Sequence, residues 1–312
     1  MKKITYLIIL FIFIFLLWNI KENLYHINSE NLNFRKDQLL IMIFFLLPVY
    51  FINALSWHLV TKSLSMNLSY ITNLRIWITS NISRYLPGVI WQYAGRIYLT
   101  KKQGISAVLT GNALVLEALF NLLTGSLIVI TSIIFLSISL GSALPKVAIL
   151  ISIIFVLLIF YLNYQKLFST IFYFLGKKIN KGKKIARINL PSAWIPILVI
   201  SYFLQFFFDG SVLFFLSRST IDLPLNLYPE FIGIFAISWL AGYISVFAPS
   251  GLGVQEISIA TLLSQYMPFT LAGIIAIVFR LALMGSEFLT FIIVVLLSAK
   301  DKRNIHKRFY NT

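Results

Sequence analysis

Apolar runs close to the roughly 20 residues needed to cross a bilayer recur from one end of this 312-residue chain to the other. A soluble protein would have to hide all of them in one core, and a 59% hydrophobic chain of this length cannot do so. No polar stretch is long enough for a soluble domain. The longest candidate, 165–190, is only 26 residues with a Lys-rich run. The expectation is a single integral-membrane domain over 1–312, an all-α polytopic fold.

Hydropathy places spans at about 4–20, 39–60, 106–139, 147–164, 193–217 and 270–298. The opening MKK and apolar residues resemble a signal peptide. No small-residue cleavage site follows, so the first run reads as an uncleaved span. The run at 106–139 is long for one helix and is expected to tilt, kink near Gly125 or project from the bilayer.

The formal net charge of +16 invites a nucleic-acid reading. Its distribution excludes that reading. With the N-terminus in the cytoplasm, Lys2 and Lys3, the basic residues from Lys62 to Lys102, those from Lys166 to Arg187 and the tail from Lys300 to Arg308 all fall on one side. This is the positive-inside distribution of a membrane protein with both termini cytoplasmic, and it explains the charge without a nucleic-acid partner. Such clusters suit anionic lipid headgroups of the inner leaflet.

Two segments interrupt this pattern in the same way. Residues 81–96 read NISRYLPGVIWQYAGR and residues 243–258 read YISVFAPSGLGVQEIS. Each has a Ser, then a Pro four positions on, then Gly and Gln. Pro stops a helix and Gly lets backbone approach backbone, so breaks are expected at Pro87–Gly88 and across Pro249, Gly251 and Gly253. Charge sends the first hairpin (about 71–96) in from the cytoplasm. The second (about 229–266) must enter from outside and return, because a single crossing there would push the basic tail outside. Six full spans and two oppositely oriented re-entrant hairpins follow, the geometry of an inverted repeat. Broken helices in corresponding halves point to a transport site near the midplane.

Ionisable groups inside spans are costly and therefore candidates. Around the first break these are Arg84 and Arg96, with Trp91 and Gln92 beside them. Backbone amides freed at a break, together with an Arg, make an anion site suited to a lipid phosphate. The same arginines also satisfy topology alone, and the aromatics also suit an interface belt. Glu117 sits in a polar stripe with Asn112, Asn121 and Thr124, either a wet inner face or interhelical hydrogen-bond glue. Gln255 and Glu256 follow the second break, and Glu256 either caps the resuming helix or faces the cavity. Arg280 and Glu287 share a helix face two turns apart, too far for a direct pair. Arg280 either snorkels, pairs with a carboxylate of a neighbouring helix such as Glu256, or grips phosphate. Asp209, among aromatics in LQFFFDGS, reads as structural.

Other chemistries lack their residues. Cysteine is absent, which removes disulfides, thiol catalysis and Cys metal sites. His26, His58 and His306 are far apart, so no metal site is expected. No phosphate-binding glycine-rich loop and no paired carboxylates for metal-assisted transfer are present. No cofactor is expected.

At its two breaks the chain resembles the flippase-like transmembrane family related to the N-terminal half of bacterial lysylphosphatidylglycerol synthetase/flippases. Pro87, Gly88, Trp91, Gln92, Gly95 and Arg96 match a PG-x-x-W-Q hairpin followed by Gly-Arg. Ala248, Pro249, Gly251, Leu252, Gly253, Val254 and Glu256 match an A-P-G-G-L-G-V-R-E-G pattern. Ser250 stands where the pattern has one of its paired glycines, Gln255 where it has Arg, and Ile257 where Gly is common. If that Arg grips a phosphate, Arg280 replaces it here or the headgroup differs. The resemblance implies movement of an amphipathic lipid between leaflets of the bacterial cytoplasmic membrane. The aminoacylating soluble domain lies outside the resemblance, so aminoacyl transfer is not implied. Cargo is either a phospholipid or a polyprenyl-linked glycan, and cell-envelope glycan assembly enzymes are possible partners. Two other functions stay open: a membrane transferase with Glu117 or Glu256 as base, and a non-transporting partner in glycan assembly.

Overall fold

The computed structural model describes residues 34–85, 90–136, 190–245 and 249–310. The spans expected at 4–20 and 147–164, most of the basic loop after them, and Pro87, Gly88 and Ala248 lie outside the described residues. Among the described residues every regular element is helical.

Two helices, α1 (Lys36–Leu46) and α2 (Val49–Ser63), form one apolar stretch of 28 residues, long enough to span. They part at Pro48, which has no N–H to continue the ladder. Next come α3 (Tyr70–Asn81), begun by Ser69, whose hydroxyl accepts the Thr72 N–H at 3.2 Å, and a tight turn at Ile82–Tyr85. After the break, α4 (Trp91–Lys101) resumes, followed by α5 (Ala107–Leu136). At 30 residues α5 is about 45 Å long, more than the hydrocarbon thickness, so it tilts or projects. It runs on through Gly125, which lies against the Phe206 ring.

The hub is α6 (Trp194–Thr220). Leu198, Tyr202, Phe206, Asp209, Leu213 and Leu216 recur at three- and four-residue intervals and are all buried, which gives α6 a continuous inward stripe. It packs on α1, α2, α5 and on α7 (Tyr228–Ile244). The α6–α7 crossing is close because Gly210 has no side chain: a Cβ there would lie 2.7 Å from the Ile232 Cα. The second break follows α7, then α8 (Val254–Leu263) and α9 (Phe269–Tyr310). Tyr266, in the turn between α8 and α9, donates to Glu230 at 2.7 Å and ties that turn to the start of α7. Burial, and then Glu230, push its phenol above the ordinary range.

The outer surface is apolar: Leu40, Phe44, Ile200, Phe203, Ile292 and Leu296 are exposed on α1, α6 and α9. In water this would be a large unstable patch; in a bilayer it faces lipid tails. Five helices among the described residues are long and apolar enough to cross. Four match expected spans. The fifth, Leu225–Ile244, was expected as one arm of a hairpin and is long enough to cross alone, whereas α8, at 10 residues, is not. Charge balance follows the net return of the chain and is blind to the length of each arm.

Candidate functional site

The two breaks come together. The turn at Ile82–Tyr85 packs against the turn at Pro249–Gly251, although more than 160 positions separate them in the chain. They border a cavity of about 370 Å³ walled by α2 to α7, by both turns, and by Gln255 of α8 and Arg280, Leu283 and Met284 of α9.

Helical spacing explains the first wall. On α3, Trp77 and Asn81 are four apart and both line the cavity; on α4, Gln92 and Arg96 do the same. The tight turn between them supplies Arg84 and Tyr85. The second break depends on left-handed backbone. Ser250, Gly251 and Gly253 have φ of 56°, 67° and 85°. A Cβ on Gly251 would come within 2.9 Å of the Gly242 Cα, so the break lies backbone to backbone on the last turn of α7. Ser250 bears the steric cost of its φ without being a glycine.

Each of the three arginines at the cavity is held by a carboxylate. Arg96, only 3% exposed, pairs with Glu117 at 2.5 Å and donates to the Ser80 hydroxyl at 3.2 Å. Its guanidinium lies 4.6 Å from the centre of the Trp57 ring and 5.6 Å from that of Trp77, whose Nε1 donates to Glu117 at 3.3 Å. Arg84 pairs with Glu287 at 2.5 Å; the same carboxylate accepts the Tyr85 hydroxyl and the Asn81 amide, each at 2.7 Å. Arg280 donates to the Gln255 Oε1 and the Ser250 carbonyl, each at 2.7 Å, and to the Ser250 hydroxyl at 3.1 Å. Its Nε is 3.3 Å from Glu256. Glu256 also accepts the Gly253 N–H at 2.7 Å, so it caps α8 and holds the arginine at once.

The structure thus brings Arg84, Gln92, Arg96, Glu117, Gln255 and Arg280 to one cavity, with Glu256 and Glu287 directly behind them. Trp91, half-exposed, and Asn112, buried, do not line it. Asp209, expected as structural, is on the cavity wall and forms no ion pair among the described residues. Sequence reasoning passed over Asn53, Gln205, Trp239 and Tyr243, which also line the cavity. The signal for Gln205 was its place four residues before Asp209 in an otherwise apolar span.

A preorganised set of guanidiniums at two helix breaks in an apolar surround is an arrangement that binds an anionic group and orients it. No curated protein matches the chain significantly. The family described as the lysylphosphatidylglycerol synthase TM region matches residues 4–297, which take in both breaks and all three arginines. The chain is a multi-pass membrane protein tied to lipid or glycan handling, and it belongs to the family of the lysylphosphatidylglycerol synthase transmembrane region.

Proposed function

We propose that this protein moves an amphipathic lipid with a phosphate-bearing headgroup between leaflets of the bacterial cytoplasmic membrane, with its termini in the cytoplasm. The observation that carries this reading is the meeting of two helix breaks at one polar cavity, each break bringing arginines already held by carboxylates. Isolated guanidiniums at membrane depth would be very costly. Paired ones are tolerated, and a headgroup phosphate exchanges for a carboxylate on the same guanidinium, so the pairing energy is largely conserved through the exchange. The hairpins dip from opposite faces, and the headgroup crosses at the point where they meet.

Transfer chemistry is less well supported. The acids it would need are both engaged: Glu117 by Arg96 and Trp77, Glu256 by Arg280 and the Gly253 amide.

The test is leaflet-resolved lipid labelling in proteoliposomes containing the full chain. Candidate anionic phospholipids and polyprenyl phosphates should cross faster than in protein-free vesicles, and Arg96→Gln should slow the movement at least tenfold, the loss of one charge-assisted contact. Folded, oriented protein that moves none of these lipids removes the proposal.

A further inference from the structure

The arginines account for a phosphate but not for the rest of the wall. Trp239 and Tyr243 of α7 are one turn apart and stacked, with 4.8 Å between ring centres and 15° between planes. With Tyr93 of α4 they line the cavity. Beside them stand side-chain amides. Two of these, Gln92 and Gln205, are half-buried and line the cavity. Each offers N–H donors and a carbonyl acceptor, so the occupant best matched to them both accepts and donates.

An ionised phosphate has only acceptors to offer and leaves the carbonyl oxygens of Gln92 and Gln205 without a donor. An ammonium has donors but would enter a cavity lined by three guanidiniums. Ring hydroxyls both donate and accept, as side-chain amides do. The C–H face of a sugar ring is flat and apolar and fits a stacked aromatic pair. A volume of about 370 Å³ is near the lower end of ligand pockets, roughly 300–1,000 Å³, and accommodates one ring and its phosphate.

We infer that the headgroup carried here is a glycosyl phosphate. A single sugar ring lies against Trp239 and Tyr243, its hydroxyls hydrogen-bond the side-chain amides of Gln92 and Gln205, and its phosphate meets the arginines. This inference rests on the lipid-translocation reading above and narrows its cargo.

The test uses the full chain purified in detergent and titrated calorimetrically with four probes. They are a short-chain prenyl phosphate bearing one hexose, the same prenyl phosphate without sugar, the free hexose phosphate, and a short-chain lysyl-phosphatidylglycerol. The glycosylated probe should bind roughly tenfold tighter than the bare prenyl phosphate. Tyr243→Leu, at a position already 39% exposed and so tolerant of change, should narrow that ratio by roughly two- to tenfold. Gln205→Leu should narrow it as well. Equal or tighter binding of the bare or lysyl probe overturns the sugar assignment, and if that lipid also crosses in proteoliposomes, translocation stands without it. Free hexose phosphate binding as tightly as the lipid overturns it too, since the ligand is then soluble. A sugar preference in binding with no lipid movement keeps the glycosyl-phosphate site and removes translocation.

Discussion

Arg96 is nearly inaccessible, and its charge is balanced by a carboxylate 21 positions further along the chain. Removing one partner of a buried ion pair leaves the other charge uncompensated and costs about 3–5 kcal/mol, whereas replacing both with apolar groups costs far less. Glu117→Leu should therefore lower the thermal midpoint in detergent sharply, and Arg96→Met added to it should recover much of the loss. A double variant as unstable as the sum of the two singles would contradict the pairing. Ser250 makes a finer test. Ser250→Ala keeps the left-handed strain and loses the hydroxyl bond to Arg280; Ser250→Gly loses the bond but relieves the strain. The glycine variant should be the more stable by about 1 kcal/mol in the same unfolding assay. The charged residues were readable as candidates because charge is conspicuous in an apolar span. Of their partners, Glu256 was among those offered for Arg280, and the two are paired; the others were not legible, since Arg84 and Glu287 are 203 positions apart and only helix packing decides which acid meets which base. Ser250 and Gln255, two positions where the chain departs from the resembling pattern, are the residues that receive Arg280.

The same order of elements occurs twice: helix, break, short helix, long helix, as α3–α4–α5 and as α7–α8–α9. Pro and Gly made the breaks visible in advance, since one cannot continue a helix and the other allows left-handed backbone. Hydropathy located the long helices to within a few residues. The first arm of the second hairpin was expected from about 229 to the break at Pro249, and α7 occupies Tyr228–Ile244; that this arm is long enough to cross alone is a matter of helix length, which charge does not count. The break itself is testable through its glycines. Gly251→Ala would press a methyl onto the α7 backbone, where nothing can yield, while a Cβ at Gly253 meets open space. Both have positive φ, so both variants carry the strain of about 1 kcal/mol, but Gly251→Ala should cost clearly more. Equal thermal shifts for the two would mean that the break does not lie tightly on α7.

For the molecule as a whole, the absence of cysteine turns topology into a direct measurement. Single cysteines replacing Lys102 and Asp222, treated in intact cells with a membrane-impermeant maleimide, should react only after lysis at the first position and at once at the second. The reverse pattern would invert the orientation proposed here. α9 is the element that unites the two halves. It presents Glu287 to the first break and Arg280 to the second, two turns apart on one face. A small molecule seated in the cavity would touch Arg280 directly and Glu287 only through Arg84, and by holding one helix it would immobilise both breaks. To an inhibitor this protein offers a single handle, and resistance by substitution there would have to break an ion pair that the folded chain needs.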